Sequence, residues 1–255
     1  MAEVAQPVFA PVENRLTDLR RVAIVPAFNE EQTIGRVIKE IRAFDPGFEI
    51  LVVDDGSTDR TAVVAEANGA RVLTLPFNLG IGGAVQTGYL YARDNGFELA
   101  VQIDGDGQHD AGEVPRLVGP ILERGADMVV GTRFAEGGGY RGTRIRRIGI
   151  HLFAAIVSLM VRQRVTDTTS GFRAVNRKAI RLFAVDYPHD YPEVEATVLL
   201  SRHGLKMVEV PVVMRIREEG SSSITTLRSG YYMVKVLLAL FVGLFRRYPK
   251  VQEEE

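Results

Sequence analysis

The sequence predicts an α/β fold, a mostly parallel sheet with helices on both faces. Short apolar runs alternate with stretches whose apolar residues recur at helical spacing, and the connections between them are short. The runs also end in turns rich in Asp, Asn, Gly and Pro. Parallel strands require helical crossovers, and being buried on both faces they read as continuous apolar segments, as these do. In such sheets ligands bind beyond the carboxyl ends of the strands.

Arg21-Val-Ala-Ile-Val-Pro26 is the first strand, and it ends in Pro26-Ala-Phe-Asn-Glu30. Ile34, Val37, Ile38 and Ile41 then recur at helical spacing up to the break at Asp45-Pro46-Gly47. The second unit is the strand Glu49–Val53, the turn Asp54-Asp55-Gly-Ser-Thr-Asp59 and a helix through Ala67, with Thr58 or Asp59 suited to cap it. The strand Ala70–Leu75 leads into Asn78-Leu-Gly-Ile-Gly-Gly-Ala84 and a helix carrying Val85, Tyr89 and Ala92. Leu99–Ile103 is the fourth strand. Four polar or glycine-rich turns, at 26–30, 54–59, 78–83 and 104–108, therefore converge on one edge of the sheet.

The second half continues with a helix over Glu113–Arg124, a strand over Asp127–Gly131 closing on Thr132-Arg133, and a basic glycine-rich segment, Gly137–Arg147. Ile148–Val161 reads as a helix that is apolar almost all round. Thr166-Asp-Thr-Thr-Ser-Gly-Phe-Arg173 returns to polar chemistry, where Thr-Ser-Gly suits a turn that Asp167 and Ser170 brace and Arg173 is suited to pair with a carboxylate. Residues 176–203 read as two helices around the turn Tyr187–Pro192, and Lys206–Val213 as a strand. Tyr231–Phe245 is a final apolar stretch, followed by Arg246, Arg247 and Lys250.

At 255 residues and 46% hydrophobic composition the chain can bury a large core. A net charge of -1 argues against a dedicated nucleic-acid binder, and the absence of cysteine excludes disulfides and thiolate zinc sites. The histidines have no zinc-ligand spacing. Residues 1–20 lack the apolar core of a secretory signal and read as a flexible arm.

Asp104-Gly-Asp-Gly-Gln108 carries the chemistry. A buried strand that delivers two carboxylates spaced by a glycine offers oxygen ligands, Asp104, Asp106 and Gln108, of the kind Mg2+ or Mn2+ prefers, and such ions share their coordination with substrate phosphates. A solvated Asp-Gly turn is the plainer alternative. A calcium loop is not, because its required Gly and Glu positions, counted from Asp104, hold His109 and Pro115. The glycines after Asn78 do not make a dinucleotide fingerprint either, since the third small position, counted from Gly80, is Val85.

Pro26-Ala-Phe-Asn-Glu30, Val-Val-Asp-Asp-Gly-Ser-Thr-Asp59, Asn78-Leu-Gly-Ile-Gly-Gly-Ala84, Asp104-Gly-Asp-Gly-Gln-His-Asp110, Gly131-Thr-Arg133, Asp167-Thr-Thr-Ser-Gly-Phe-Arg173 and Arg217-Glu-Glu-Gly-Ser-Ser222 stand in this order along the chain. Together they resemble the family-2 glycosyltransferases of the GT-A fold, specifically the dolichyl-phosphate mannose synthases and their bacterial polyprenyl-phosphate relatives. The resemblance implies transfer of a hexose, mannose or glucose, from a GDP- or UDP-sugar to a polyprenyl phosphate with inversion. It implies that Pro26, Phe28, Glu30 and Asp55 line the nucleotide site, with Asp55 accepting a hydrogen bond from the base, and that Asn78 and Gly80 shape the wall near the ribose. Asp104 would face the ribose or sugar, while Asp106 and Gln108 hold the metal against the diphosphate. Phe28 stands where a tyrosine is usual, keeping the stacking surface without the hydroxyl; a core aromatic is its structural alternative. A phosphate acceptor is already anionic and needs cations rather than a base. Arg133 and Arg217, with Ser222 and Arg144, are the expected acceptor-phosphate contacts, and Ser223 replaces a lysine found in several relatives. Glu193 and Glu195, at a helix start, are candidates for a base or for simple dipole complements.

A lipid acceptor predicts a peripheral position on the cytoplasmic, inner face of a membrane. Ile148–Val161 and Tyr231–Phe245 are flanked by basic residues, as interfacial helices are. The second would reach only ~22 Å at ~1.5 Å per residue, short of a hydrocarbon core of ~30 Å. Burial in the core, a homo-oligomer contact or a membrane-protein partner is the alternative cover for these helices. The expected organisation is an arm over 1–20, a catalytic domain over 21–223 and a C-terminal apolar helix over 224–255. Alternatives are a glycan or small-molecule acceptor, or a non-catalytic nucleotide-sugar-binding scaffold.

Overall fold

The computed structural model describes residues 18–133 and 144–215 together with Leu16 and Lys235, and for 144–152 the backbone alone. A seven-stranded sheet runs through the molecule in the order β3-β2-β1-β4-β6-β5-β7. The strands are β1 (Arg21–Ala27), β2 (Glu49–Asp54), β3 (Arg71–Thr74), β4 (Leu99–Gln102), β5 (Met128–Thr132), β6 (Arg173–Asn176) and β7 (Met207–Pro211). β1 pairs in parallel with both β2 and β4, and every one of its seven residues is buried. That central place is why its sequence is apolar throughout and does not alternate.

Among the described residues, seven α-helices flank the sheet: α1 (Ile34–Phe44), α2 (Thr61–Ala67), α3 (Gly80–Asp94), α4 (Val114–Arg124), α5 (Arg144–Val161), α6 (Arg177–Val185) and α7 (Pro192–Arg202). Alternate residues of β1 feed two cores. Val22 and Ile24 pack with Val85 and Tyr89 of α3, Ile180 and Phe183 of α6, and Leu199 of α7. Ala23 and Val25 pack with Ile34, Val37, Ile38 and Ile41 of α1 and with Leu117 and Val118 of α4. α3 lies unusually close to β1, because a Cβ on Gly88 would stand 2.3 Å from Cγ2 of Ile24. Glycine is what allows that approach.

The expected elements form, with differences that have physical causes. β6 is an addition: it is antiparallel to both β4 and β5, so one reversed strand interrupts an otherwise parallel sheet. Its four residues begin with Arg173, which is 1% exposed, and a buried arginine in so short a segment conceals the strand pattern. α5 begins at Arg144 rather than Ile148 and so takes in part of the segment read as a basic loop. Neither Thr58 nor Asp59 is the N-cap of α2, which is Arg60 without a side-chain cap; Asp59, one position earlier, accepts the N–H of Thr61 at 2.9 Å, while the Thr58 N–H donates to Asn29 Oδ1. Apart from Lys235, the expected helix over 231–245 and the 224–255 segment lie outside the described residues, as does the 1–15 portion of the arm. Among the described residues no helix is long and apolar enough to cross a membrane.

At the opening of β1, Arg21 donates to both oxygens of Asp45 (2.7 and 2.9 Å) and to the carbonyl of Leu16 at 2.8 Å. The Arg21 hydrogen bonds hold the Asp45 carboxyl below its ordinary value. A carboxyl lowered in the folded state stabilises the fold above its unfolded value, and that contribution disappears as pH falls through the folded one. Asp45→Asn is expected to cost about 1.5–3 kcal/mol at neutral pH in denaturant unfolding. The difference from the unaltered protein should close as pH drops below 3.8, the ordinary aspartate value.

Candidate functional site

Four turns meet beyond the carboxyl ends of β1, β2, β3 and β4, and their residues line one cleft of about 290 Å3: Pro26, Phe28 and Glu30 from the first, Asp55 from the second, Asn78 and Gly80 from the third, Asp104 and Asp106 from the fourth. Each turn is tied to another by bonds that local sequence does not reveal. The Asp55 N–H donates to the carbonyl of Ala27 at 2.9 Å, and the Gly105 N–H to that of Pro26 at 3.1 Å. Asn29 accepts from the Thr58 N–H, and Thr61 Oγ1 accepts from the Glu30 N–H at 2.8 Å. Thr33 Oγ1 lies 2.8 Å from both Glu30 Oε2 and the carbonyl of Gly105, joining the first turn to the fourth.

Asp55 joins the second turn to the third. It is 4% exposed, and its two oxygens accept the N–H groups of Leu79 (2.7 Å) and Gly80 (2.9 Å) at the start of α3. The carboxylate thus satisfies a helix N-terminus while one edge still lines the cleft. Asn78 Oδ1 shares the Gly80 N–H at 3.0 Å. Phe28 is 45% exposed beside the cleft, which settles it as a surface ring rather than a core aromatic.

Asp104 and Asp106 both reach the cleft, and the side chain of Asp104 is one-third exposed. Beneath them, His109 is buried and stacks on Phe172 at 4.7 Å and 11°. The Asp104 N–H donates to His109 Nδ1 at 3.0 Å, and the His109 ring also lies 3.7 Å from the Asp104 carboxylate. Gln102 Nε2 donates to Asp104 Oδ1 at 3.2 Å. Asp106 Oδ1 accepts the Gln108 N–H at 3.0 Å across Gly107, whose φ of +77° is a conformation that suits glycine. Gln108 itself is not part of the cleft lining; its amide nitrogen is directed at the carbonyl of Arg215. Among the described residues no three His, Asp or Glu side chains form a metal cluster. Two carboxylates are a hard-oxygen donor set that fits Mg2+ or Mn2+ when substrate oxygens complete the shell.

On the next part of the sheet edge, Arg133 follows β5. Its Nε and Nη2 donate to the Asp167 carboxylate at 2.9 and 3.0 Å, and Nη2 also donates to Thr169 Oγ1 at 2.7 Å. The Asp167 side chain is fully buried while that of Arg133 is 33% exposed, so the pair fixes the direction of the guanidinium. Asp167 is held in turn by Glu209 of β7, which accepts its N–H at 3.1 Å together with the N–H and hydroxyl of Thr166. The carboxylate partner in this region is therefore Arg133's. Arg173 instead donates to the backbone carbonyls of Ser170 and Glu193. Burial pushes the Glu193 carboxyl up, against the opposing charge of Arg173. Glu195 lies with Glu193 in the first turn of α7. The side chain of Arg144, and Arg217 and Ser222, lie outside the described residues.

The sequence model of glycosyl transferase family 2 matches residues 22–183. The chain is 31% identical over 216 residues to the undecaprenyl-phosphate mannosyltransferase of Micrococcus luteus, an alignment covering 81% of this chain and 88% of that one. It is 29% identical over 216 residues to the polyprenol monophosphomannose synthase of Mycolicibacterium smegmatis, covering 81% of each. Among solved structures, glucosyl-3-phosphoglycerate synthase from Mycobacterium tuberculosis, in complex with Mn2+, UDP and phosphoglyceric acid, superposes with a TM-score of 0.67 at 26% identity, over 94% of this chain and 84% of that one.

Because Asp55 carries the start of α3, Asp55→Ala should lower stability by about 0.5–2 kcal/mol, the range for losing a helix cap. Amide exchange in the α3 variant should rise first at Leu79 and Gly80. Protection unchanged at both positions would contradict the assignment.

Proposed function

Since the chain belongs to glycosyl transferase family 2 and is a GT-A glycosyltransferase, we propose that it transfers a hexose from a nucleoside diphosphate sugar to a polyprenyl phosphate, with inversion and with Mg2+ or Mn2+. One observation carries this reading: the joined turns place Phe28, Asp55, Asp104 and Asp106 around a single cleft. Phe28 offers a face on which a base stacks, Asp55 accepts a hydrogen bond from that base, and Asn78 and Gly80 form the wall beside the ribose. The N–H groups of Leu79 and Gly80, which open α3, are already bonded to Asp55, so these two are not free to neutralise a diphosphate. Asp104 and Asp106 would hold a cation there, which would supply Lewis-acid stabilisation of the departing diphosphate.

The anionic oxygen of the acceptor phosphate attacks the anomeric carbon as the bond from that carbon to the nucleoside diphosphate oxygen breaks. The nucleophile arrives deprotonated, so no residue has to remove a proton. Its phosphate needs a fixed cationic partner instead, and Arg133, locked bidentately on Asp167, is suited to that role, with Arg217, Arg144 and Ser222 completing the acceptor side. The names of the bacterial relatives support a lipid phosphate acceptor and a mannosyl donor. The phosphoglyceric acid and UDP of the solved relative favour a second reading, a small phosphorylated acceptor with a uridine donor. A lipid acceptor also implies work at the inner face of a membrane as a peripheral protein, where a second copy or a membrane subunit is an alternative support.

GDP-mannose and UDP-glucose, each offered with Mn2+ and either a polyprenyl phosphate or 3-phosphoglycerate, should yield an organic-extractable glycosyl phosphate from the lipid. EDTA should abolish the product, and Asp106→Ala should lower it by about 100-fold or more. Product undiminished in that variant overturns the metal assignment, and transfer to phosphoglycerate alone replaces the first reading with the second.

A further inference from the structure

The loop that carries the two cleft carboxylates is gripped from below by a segment not otherwise assigned to the site. After β7 the chain turns back beside this loop: His109 and Met214 form an antiparallel bridge, and the Arg215 N–H donates to the carbonyl of Gln108 at 2.9 Å. The Arg215 side chain then spans two further elements. Its Nη1 donates to both oxygens of Glu40 on α1 (2.9 and 2.7 Å), and its Nη2 lies 3.1 Å from Asp110 Oδ2. Glu40 and Asp110 are far apart in sequence, and one planar guanidinium joins them. The other side of the loop rests on Phe172 through the stacked His109 ring.

We propose that Arg215 is a positioning residue, a clasp that holds the Asp104–Asp110 loop in its cation-binding geometry through Gln108 and Asp110. The route is short. The Arg215 side chain ties Asp110 to Glu40 and so seats the segment after β7, whose Arg215 N–H meets the carbonyl of Gln108, while the N–H of Gln108 orients the Asp106 carboxylate. On the far side of Gln108, the Asp110 carboxylate accepts the Gly112 N–H at 2.9 Å and so starts the helical turn Ala111–Glu113 that follows the loop. Free movement of residues 106–110 would swing Asp106 away from Asp104, and two carboxylates hold a hard cation only while both face the same point. Arg215 touches neither the cleft nor the carboxylates lining it, so its effect is on cation-linked binding and not on direct contact with the nucleotide.

This inference rests on the cation reading of Asp104 and Asp106, and two measurements separate the two. Binding of UDP and GDP is measured with and without Mn2+ for the unaltered protein, Arg215→Met, Arg215→Lys and Glu40→Gln. Hydrogen exchange is followed on the same proteins without ligand. In Arg215→Met, the Mn2+-dependent gain in nucleotide affinity should fall by about tenfold, within the range for loss of an outer-shell support, while affinity without Mn2+ stays unchanged. Arg215→Lys and Glu40→Gln should fall between, because each keeps part of the clasp. Exchange at residues 104–110 should quicken by about tenfold with β1 unchanged. Faster loop exchange with the Mn2+ gain intact would overturn the positioning role and leave Arg215 a purely structural contact. Exchange unchanged in Arg215→Met would overturn the clasp itself. Absence of any Mn2+ gain in the unaltered protein would overturn the cation reading, with the exchange result still deciding the clasp.

Discussion

The cleft exists as one site because backbone groups and short side chains of each turn satisfy those of its neighbours. Four strand ends in a parallel sheet lie side by side, but their loops carry unpaired N–H and C=O groups that must find partners. Here the partners are across the edge: Asp55 to Ala27 and to the start of α3, Gly105 to Pro26, Thr33 to Gly105. A loop held this way cannot shift without exposing a neighbour's polar group, so positions of the cleft residues are inherited from the sheet. Strand β1, buried over its full length between β2 and β4, is the fixed reference for all of them.

Charge is divided along the same edge. The carboxylates that reach the cleft, Asp104 and Asp106, follow strand β4 and are the pair proposed to meet a cation and a diphosphate. On the far side of the reversed strand β6, the buried Asp167 is spent on Arg133, and Glu209 is spent on holding Asp167. An arginine anchored by a buried carboxylate keeps its direction at low entropic cost when a phosphate arrives. This separation of exposed carboxylates from an anchored arginine suits the proposed reaction, whose leaving group and nucleophile would both be phosphates.

The sequence exposed most of the strands and helices, since continuous apolar runs and three-to-four residue periodicity survive in a doubly covered sheet. The residues that the resemblance assigned to the nucleotide side also come together in the fold, all of them lining one cleft. β6 was hidden because it is four residues long and opens on a buried arginine, a residue that ordinarily marks surface. The supports were hidden for a different reason. His109 under Asp104, Asp167 on Arg133 and Arg215 on Glu40 are partnerships between distant positions, and single residues carry no sign of who will face them. Gln108 illustrates this: its type and spacing read as a metal ligand, whereas in the fold its side chain turns toward Arg215.

The central claim is that the Asp104–Asp106 turn holds a divalent cation jointly with the donor's diphosphate. The most direct measurement is the Mn2+ electron paramagnetic resonance spectrum of the protein with a nucleoside diphosphate labelled with oxygen-17 on its phosphates. The account predicts line broadening by the labelled oxygens, and its loss when Asp106 is replaced by alanine. A spectrum indifferent to the label, with Mn2+ bound, would place the ion away from the diphosphate and contradict the account.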